Sequence, residues 1–512
     1  MNSQILDSKR IAKNTLMLYV RMSFTMIVSL FTTRIVLDTL GASDYGIYNL
    51  VGGVVGLMGI VTSLLSQGTT RFITISLGKN DSVLLKSTFL SSLTIHILFA
   101  LLILIVGEAI GPCVIDNLNI PIERLGAARF VFQFSLVTSL FNVVQAPFNA
   151  CIIAHERMNI YAYISIWEAV AKLLIVYMLV ISEVDKLKLY SFLYFMVGII
   201  TAIIYYLYCT KNFDECRRYI FKFDKNLYKE MFNYTSWNAI GTLAFTLNNQ
   251  GMTVLLNAFG TIVNAARGIS LSVSNVVYRF VESFQAAARP QITKLCAIKE
   301  YDSMNELIMQ TSKFSSYLIG IIGVPLFIEM DFVLQLWLKE VPDYTVTFTR
   351  LTMIQALIQS VDFPIGAGIH AVGKMRLPNI TSSIIYLMIL PISYLAIKAG
   401  ASPIIAYIII VLGYPMALFT DMLILHKYTF FSIRTFLWKV LAKSLFIFPF
   451  VGYLTLMITN HLPQNFSRLI ITIVLSLLFN VLLIYFFGLS RGERKYISDY
   501  VFSKIRFNAY DE

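Results

Sequence analysis

The sequence predicts an all-α polytopic membrane protein of about fourteen transmembrane helices, laid out as two parallel six-helix repeats forming two lobes, with two further helices at the C-terminal end. Three observations predict it: an apolar composition, a succession of apolar runs separated by basic loops, and an internal repeat. Of the 512 residues, 57% are hydrophobic and 14% charged, where a soluble domain is roughly 45–50% apolar and about 25% charged. Mean hydropathy is +0.71, too apolar to leave a polar coat for water.

The runs fall at Thr15–Leu37, Tyr45–Ser66, Thr88–Ile110, Ala127–Ile153, Tyr161–Ile181 and Leu189–Cys209. After a polar stretch they resume at Thr235–Phe259, Ile262–Ala286, Thr311–Met330, Val346–Ala371, Ile380–Ile397 and Ile404–Leu425, and two more follow at Ser444–Thr459 and Leu469–Leu489. Many reach the roughly 20 residues that cross about 30 Å of hydrocarbon. Runs this continuous are helices, since in lipid only a helix or a closed barrel satisfies its own backbone. The first run follows Lys9, Arg10 and Lys13 as a signal peptide would, but it is too long for a signal core and no small-x-small cleavage site follows it, so it is expected to be retained.

Placing the N-terminus inside puts Arg71, Lys79, Arg157, Arg289, Lys374 and Arg434 in inner loops, together with Lys211–Glu230 and the tail from Arg491 to Arg506. The outer loops hold few cations, mixed with Asp116, Glu123, Glu183 and Asp185. That alternation is the positive-inside pattern, so both termini are expected in the cytoplasm. The net charge of +12 is therefore a topology signal, not the continuous basic stripe of a nucleic-acid partner. The five cysteines, Cys113, Cys151, Cys209, Cys216 and Cys296, are an odd number with no CxxC spacing, and point to neither a disulfide framework nor a metal site.

The pattern V-x-x-P-x-x-A-x-I-x-A-x-x-[R/K]-M occurs at Val144–Met158 and again at Val361–Met375, 217 residues on. A weaker echo pairs Leu37-Asp38-Thr39-Leu40-Gly41 with Leu256-Asn257-Ala258-Phe259-Gly260, 219 residues apart. Six helices per copy give both copies the same sense in the membrane, a layout that places a substrate site near the lobe interface. The expected boundaries are an N-lobe at 1–210, a basic interfacial linker at 211–231, a C-lobe at 232–427, and C-terminal helices with a basic tail at 428–512. The linker carries Tyr219, Phe221, Phe223 and Tyr228 among its cations, as an amphipathic segment lying on anionic membrane lipid would.

The Leu40-Gly41-x-x-x-Tyr45-Gly46 turn, Gln67-Gly68-x-x-Arg71 and Pro147…Ala154-x-x-Arg157-Met158 resemble the multidrug/oligosaccharidyl-lipid/polysaccharide (MOP) exporter superfamily, in its polysaccharide and O-antigen flippase branch. The resemblance runs from about Asn14 to Leu425. It implies two bundles that rock between inward- and outward-facing states in a bacterial inner membrane. It also implies a cargo carried on undecaprenyl diphosphate, with polysaccharide polymerase machinery as a further partner. The drug-exporting branch usually has twelve helices, so the two extra ones lean toward flippases of the lipid II type.

Ionisable residues at bilayer depth cost roughly 2.5–3.5 kcal/mol each on insertion scales, so each needs a reason. The cations are Arg21, Arg34, Arg129, Lys172, Arg267, Arg279, Lys313 and Arg350; the acids are Glu108, Glu168, Glu282, Glu329, Asp362 and Asp421. Arg21 and Arg267 lie inside their helices with no acid at i±3 or i±4, so each must face a wet cavity or a partner on another helix. A guanidinium there suits a diphosphate. Arg34, Lys172 and Arg279 join them as candidate cargo contacts, although Glu168 can pair with Lys172 at i+4, Glu282 with Arg279 at i+3, and Arg34 can snorkel. Asp362, Asp38 and Glu168 are candidates for coupling or lobe pairing, and Pro147 and Pro364 for hinges. A coupling cation, Na+ or H+, would be the only cofactor. No GxxxxGK[ST], HExxH or GxSxG with partners occurs, so the chain is read as a transporter and not an enzyme. The alternatives are a cation-coupled multidrug exporter of the same superfamily and, in another class, a membrane glycosyltransferase or polymerase.

Overall fold

Helix follows helix along the described chain, since apolar runs of this length satisfy their own backbone only as helices. The structure, a computed structural model, describes residues 2–58, 60–79, 81–155, 157–217 and 225–495. Its helices are α1 (Asn2–Met58), α2 (Ile60–Gly78), α3 (Ser82–Asp116), α4 (Ile122–Ala154), α5 (Met158–Ile181), α6 (Lys186–Asn212), α7 (Lys225–Leu256) and α8 (Thr261–Ala297). They continue as α9 (Tyr301–Ile328), α10 (Met330–Trp337), α11 (Thr345–Val372), α12 (Arg376–Lys398), α13 (Pro403–Thr429), α14 (Ile433–Phe436), α15 (Lys443–Thr459) and α16 (Phe466–Leu483). Among the described residues there is no strand. Ten helical segments there are long and apolar enough to cross a membrane, and one of them, Arg21–Gly56, holds parts of two predicted runs. The predicted runs in α7, α8 and α11 are helical but not among the ten. The protein is a multi-pass, all-helical membrane protein.

Caps mark several of the ends. Asp81 accepts from the amides of Val83 and Leu84 to open α3, and Asp185 does the same for α6 through Leu187 and Lys188; such caps each contribute about 0.5–2 kcal/mol. Of the predicted linker, α6 runs on to Asn212, a 3-10 turn covers Asp214–Cys216, and Lys225–Glu230 open α7. Positions 218–224 of that linker, with Tyr219, Phe221 and Phe223, and the basic tail beyond 495 lie outside the described residues.

The chain divides into two compact units. The first holds α1 to α7, α8 as far as Ser272, Leu338–Thr345 and Asn379–Ala406; the second holds Val273–Trp337, Val346–Pro378 and the chain from Tyr407 onward. In the first unit, α4 packs against α3 and α6, and α1 against α5. Ile47, Leu50, Val131, Phe132, Leu136 and Leu187 are almost fully buried in one shared core. Gly107 and Gly111, a GxxxG pair on α3, let α4 approach so closely that a Cβ would stand 2.7 Å from Leu136 and 2.0 Å from Phe132. Small residues at this spacing are how helices associate where lipid removes the hydrophobic drive.

The second unit is held by polar groups passed between helices. Gln285 of α8 donates to Ser315 Oγ of α9 at 3.0 Å and to the Ser360 carbonyl of α11 at 2.8 Å. Ser312 donates to the Val361 carbonyl at 2.9 Å, and Ser316 meets Ser444 of α15 at 2.8 Å. Gly320 of α9 lies against the Phe448 ring of α15. Arg468 of α16 donates to Glu329 Oε1 at 2.8 Å, where the two side chains are 9% and 1% exposed, and Thr472 donates to the same oxygen.

The weaker repeat echo is visible in the backbone. Gly41 has φ 79° and ψ 165°, and Gly260 has φ 98° and ψ 172°. This region is essentially closed to residues with a Cβ, so both copies turn from one helix into the next through the same glycine-only corner. The corners also touch: Ser43 Oγ lies 3.1 Å from Thr261 Oγ1, and Gly46 sits on the Thr261 carbonyl, where a Cβ would be 1.9 Å from the oxygen.

Gly46→Ala should therefore force α1 away from Thr261, costing about 1–3 kcal/mol as overpacking does. Gly52→Ala, one and a half turns on with no atom within 4 Å of its Cβ, should leave stability unchanged or raised. Thermal unfolding of the two purified variants in one detergent measures the difference.

Candidate functional site

The first unit gathers charges and tyrosines that lie far apart in sequence. Arg21 on the first limb of α1 stacks its guanidinium over the Tyr161 ring of α5, 4.6 Å from the centroid, an interaction of about 0.5–2 kcal/mol depending on desolvation. Its Nε is buried with no hydrogen-bond partner among the described residues. Further along α5, Lys172 donates to Glu168 Oε1 at 2.6 Å, and the same ammonium lies 4.7 Å from the centre of the Tyr194 ring on α6. Tyr194 clusters with Tyr48 and Tyr190, whose rings meet edge to face at 4.8 Å. Tyr205 stands within electrostatic reach of Arg21, Tyr161 and Glu168. The α1, α5 and α6 helices thus present one patch of cations and phenol groups.

Beside the patch, α1, α2, α4 and α6 enclose a cavity of about 380 Å³, within the roughly 300–1,000 Å³ of ligand pockets. Hydroxyl and amide groups of Tyr48, Tyr194, Ser135, Thr138, Ser139 and Asn142 stand in an otherwise apolar wall, and Gly52 and Gly56 leave it room. One turn along α4, Gln145 donates to Asn142 Oδ1 at 3.2 Å. Gln145 Oε1 and Asn149 Oδ1 are buried without partners among the described residues. This wall can hydrogen-bond sugar hydroxyls or hold water; it carries no nucleophile–base pair.

The remaining predicted residues lie elsewhere. Arg267 is 2% exposed; its Nε donates to Thr253 Oγ1 at 2.9 Å and its Nη2 to the Asn249 carbonyl at 2.8 Å, both on α7. Its partner on another helix is therefore α7, and it acts as a strut between α7 and α8. Arg34 is half-buried on α1. Asp38 pairs with Lys339 at 2.6 Å near the helix corner. Arg279 is exposed on α8, in the second unit. Asp362 belongs to that unit too, with Oδ1 buried and unpartnered among the described residues; Asp421 is in the same condition and within electrostatic reach of it. Pro147 and Pro364 are buried inside the unbroken helices α4 and α11.

Other membrane charges have partners the sequence did not reveal. Arg129 pairs with Asp116 at 2.7 Å, Arg350 with Asp331 at 2.8 Å, and Lys313 with Glu493. At the N-terminal end of α4, Arg124 binds both Asp44 and Asp185, tying α1 and α6 to α4. Burial alone would raise the Asp185 carboxyl; the Arg124 guanidinium and the Lys188 amide hold it below the usual carboxylate range.

Removing the Arg267 side chain should lose its hydrogen bonds to Thr253 Oγ1 and the Asn249 carbonyl, which keep only their own mutual bond at 3.2 Å, at a cost of about 1–3 kcal/mol. Arg267→Ala is expected to lower the thermal midpoint of the purified protein, and Arg21→Ala, which loses only its contact with the Tyr161 ring, to lower it less. An Arg267→Ala protein of unchanged stability would contradict the strut.

No curated protein sequence matches the chain. Among solved structures, the lipid II flippase MurJ in an inward closed conformation superposes with a TM-score of 0.70 at 13% identity, over 92% of this chain and 98% of that one. An inward-facing MATE family multidrug resistance transporter of the MOP superfamily gives 0.66 at 12% identity, over 80% and 97%. A MOP superfamily transporter from Pyrococcus furiosus gives 0.61 at 12%, over 82% and 95%. These likenesses establish a shared fold. The sequence pattern described as polysaccharide biosynthesis protein matches residues 11–283, more than half of the chain. The chain belongs to the polysaccharide biosynthesis protein family and has the fold of the MOP superfamily transporters.

Proposed function

We propose that this protein is a flippase that moves an undecaprenyl-diphosphate-linked oligosaccharide, an O-antigen or related surface polysaccharide unit, from the inner to the outer leaflet by alternating access. The observation that carries the reading is Arg21, a guanidinium in an apolar helix held over Tyr161, whose buried Nε has no hydrogen-bond partner among the described residues. A diphosphate offers paired oxygens, and the planar guanidinium fork meets two of them with parallel N–H bonds. Lys172, ion-paired with Glu168, stands behind Tyr194, and the hydroxyl and amide groups of the cavity can replace water around sugar hydroxyls, lowering the cost of taking a polar head group into the membrane. Membership in a polysaccharide biosynthesis family supports a sugar cargo. On this reading the chain is a carrier, not an enzyme, in the bacterial inner membrane with both termini cytoplasmic.

A second reading, a cation-coupled multidrug exporter, draws on Asp362 and Asp421, two buried acids with unpartnered oxygens in the second unit. Under the first reading the same acids are where a coupling Na+ or H+ would bind.

Arg21→Ala should weaken binding of undecaprenyl diphosphate oligosaccharide to the protein in lipid nanodiscs by about tenfold or more, the loss of one charge-assisted pair of hydrogen bonds. Arg21→Lys should recover only part of it. Equal binding by wild type and Arg21→Ala would remove Arg21 from the cargo path.

A further inference from the structure

Three of the chain's five cysteines converge at one end of the first bundle. Cys151 ends α4, Cys209 ends α6, and Cys216 lies in the short 3-10 turn that follows. Cys216 Sγ is 3.8 Å from Cys151 Sγ, and the Cys209 thiol beside them donates to the Phe148 carbonyl at 3.4 Å. All three are buried in an apolar cluster with Phe148, Ile152 and Phe213. Cysteines often pack there as small hydrophobes. A carboxylate does not: Glu215, 6% exposed, brings an oxygen within 4.8 Å of both the Cys151 and Cys216 sulfurs.

The geometry points to a metal site for a thiophilic divalent cation of the zinc class, held by Cys151, Cys216 and Glu215, with water from the neighbouring cavity completing the coordination. A tetrahedral site with metal–sulfur bonds of about 2.3 Å has a sulfur–sulfur edge of roughly 3.8 Å, the separation already present between Cys151 and Cys216. Two thiolates neutralise a divalent ion, and the thiol protons they give up leave to water as the metal enters. An orienting group is in place: His155 Nε2 lies 2.7 Å from Glu215 Oε1, and its ring stacks on Phe213 at 4.1 Å. Carboxylate and imidazole pairs of this kind fix a ligand's direction in metal sites. A path in is present as well. A cavity of about 850 Å³ is lined by His155, Glu215, Asp214, Lys86 and Ser82 and reaches the carboxylate side of the cluster. Bound metal would clamp the turn that follows α6 onto the end of α4, fixing where the chain leaves the first six helices.

The full chain, purified in detergent under reducing conditions, is equilibrated with Zn2+, desalted and analysed for metal by mass spectrometry. About one zinc per chain is expected in wild type and in Cys113→Ser, none in Cys151→Ser/Cys216→Ser, and an affinity about 10–100-fold weaker in His155→Ala. Because the double variant can fail to fold, wild type is also titrated with Cd2+, which should raise a thiolate-to-cadmium charge-transfer band. Wild type that retains no zinc and shows no band overturns the site. So does equal zinc in a folded double variant, or a Cys151–Cys216 disulfide in peptides mapped without reductant.

Discussion

The cost of an unpaired charge in hydrocarbon organises this molecule. Glu329 is almost fully buried, and it is tolerable there because Arg468 and Thr472 both donate to one of its oxygens. Lys313 with Glu493, Arg129 with Asp116, Arg350 with Asp331 and Lys172 with Glu168 obey the same rule. Breaking the buried Arg468–Glu329 pair would cost about 3–5 kcal/mol, because the abandoned partner has no water to turn to. Arg267 meets the rule without an acid, through a hydroxyl and a carbonyl of α7. Against that background the exceptions stand out. Among the described residues, the Arg21 Nε and one carboxyl oxygen each of Asp362 and Asp421 are buried without a hydrogen-bond partner.

The second requirement is close backbone approach. Lipid offers apolar side chains no less than the protein does, so helices gain by fitting together and by passing hydrogen bonds between them. Gly107 and Gly111 against α4, and Gly320 against Phe448, supply the fit. Gln285, Ser312 and Asn305 supply the hydrogen bonds, Asn305 reaching the Thr429 carbonyl at 2.8 Å. The matched corners at Gly41 and Gly260 show why a duplicated sequence keeps glycine there: no other residue takes that backbone shape without strain.

Fold class was legible in the sequence because transmembrane helices announce themselves by apolar length and loop charge, both local signals. The Lys172–Glu168 pair was legible for the same reason, one helical turn being a local distance. What was not legible is what depends on residues far apart. Arg468 reaches Glu329 across 139 positions and Arg124 reaches Asp44 across 80, with nothing in either neighbourhood to name the partner. The α7 groups that hold Arg267 are small and uncharged, so a search for acids one turn away missed them. The cysteines carry no CxxC spacing that would group them in the sequence. Cys151, Cys209 and Cys216 come from two helices and a turn, and only the packing of α4 against α6 brings them together.

The central claim is the cargo. Reconstituted protein in proteoliposomes, offered undecaprenyl diphosphate oligosaccharide and a cationic dye as rivals, tests it most directly. The account predicts protein-dependent movement of the lipid-linked sugar to the opposite leaflet with the dye left in place. Dye movement driven by a sodium or proton gradient, with the sugar lipid unmoved, would contradict it and shift the site to Asp362 and Asp421.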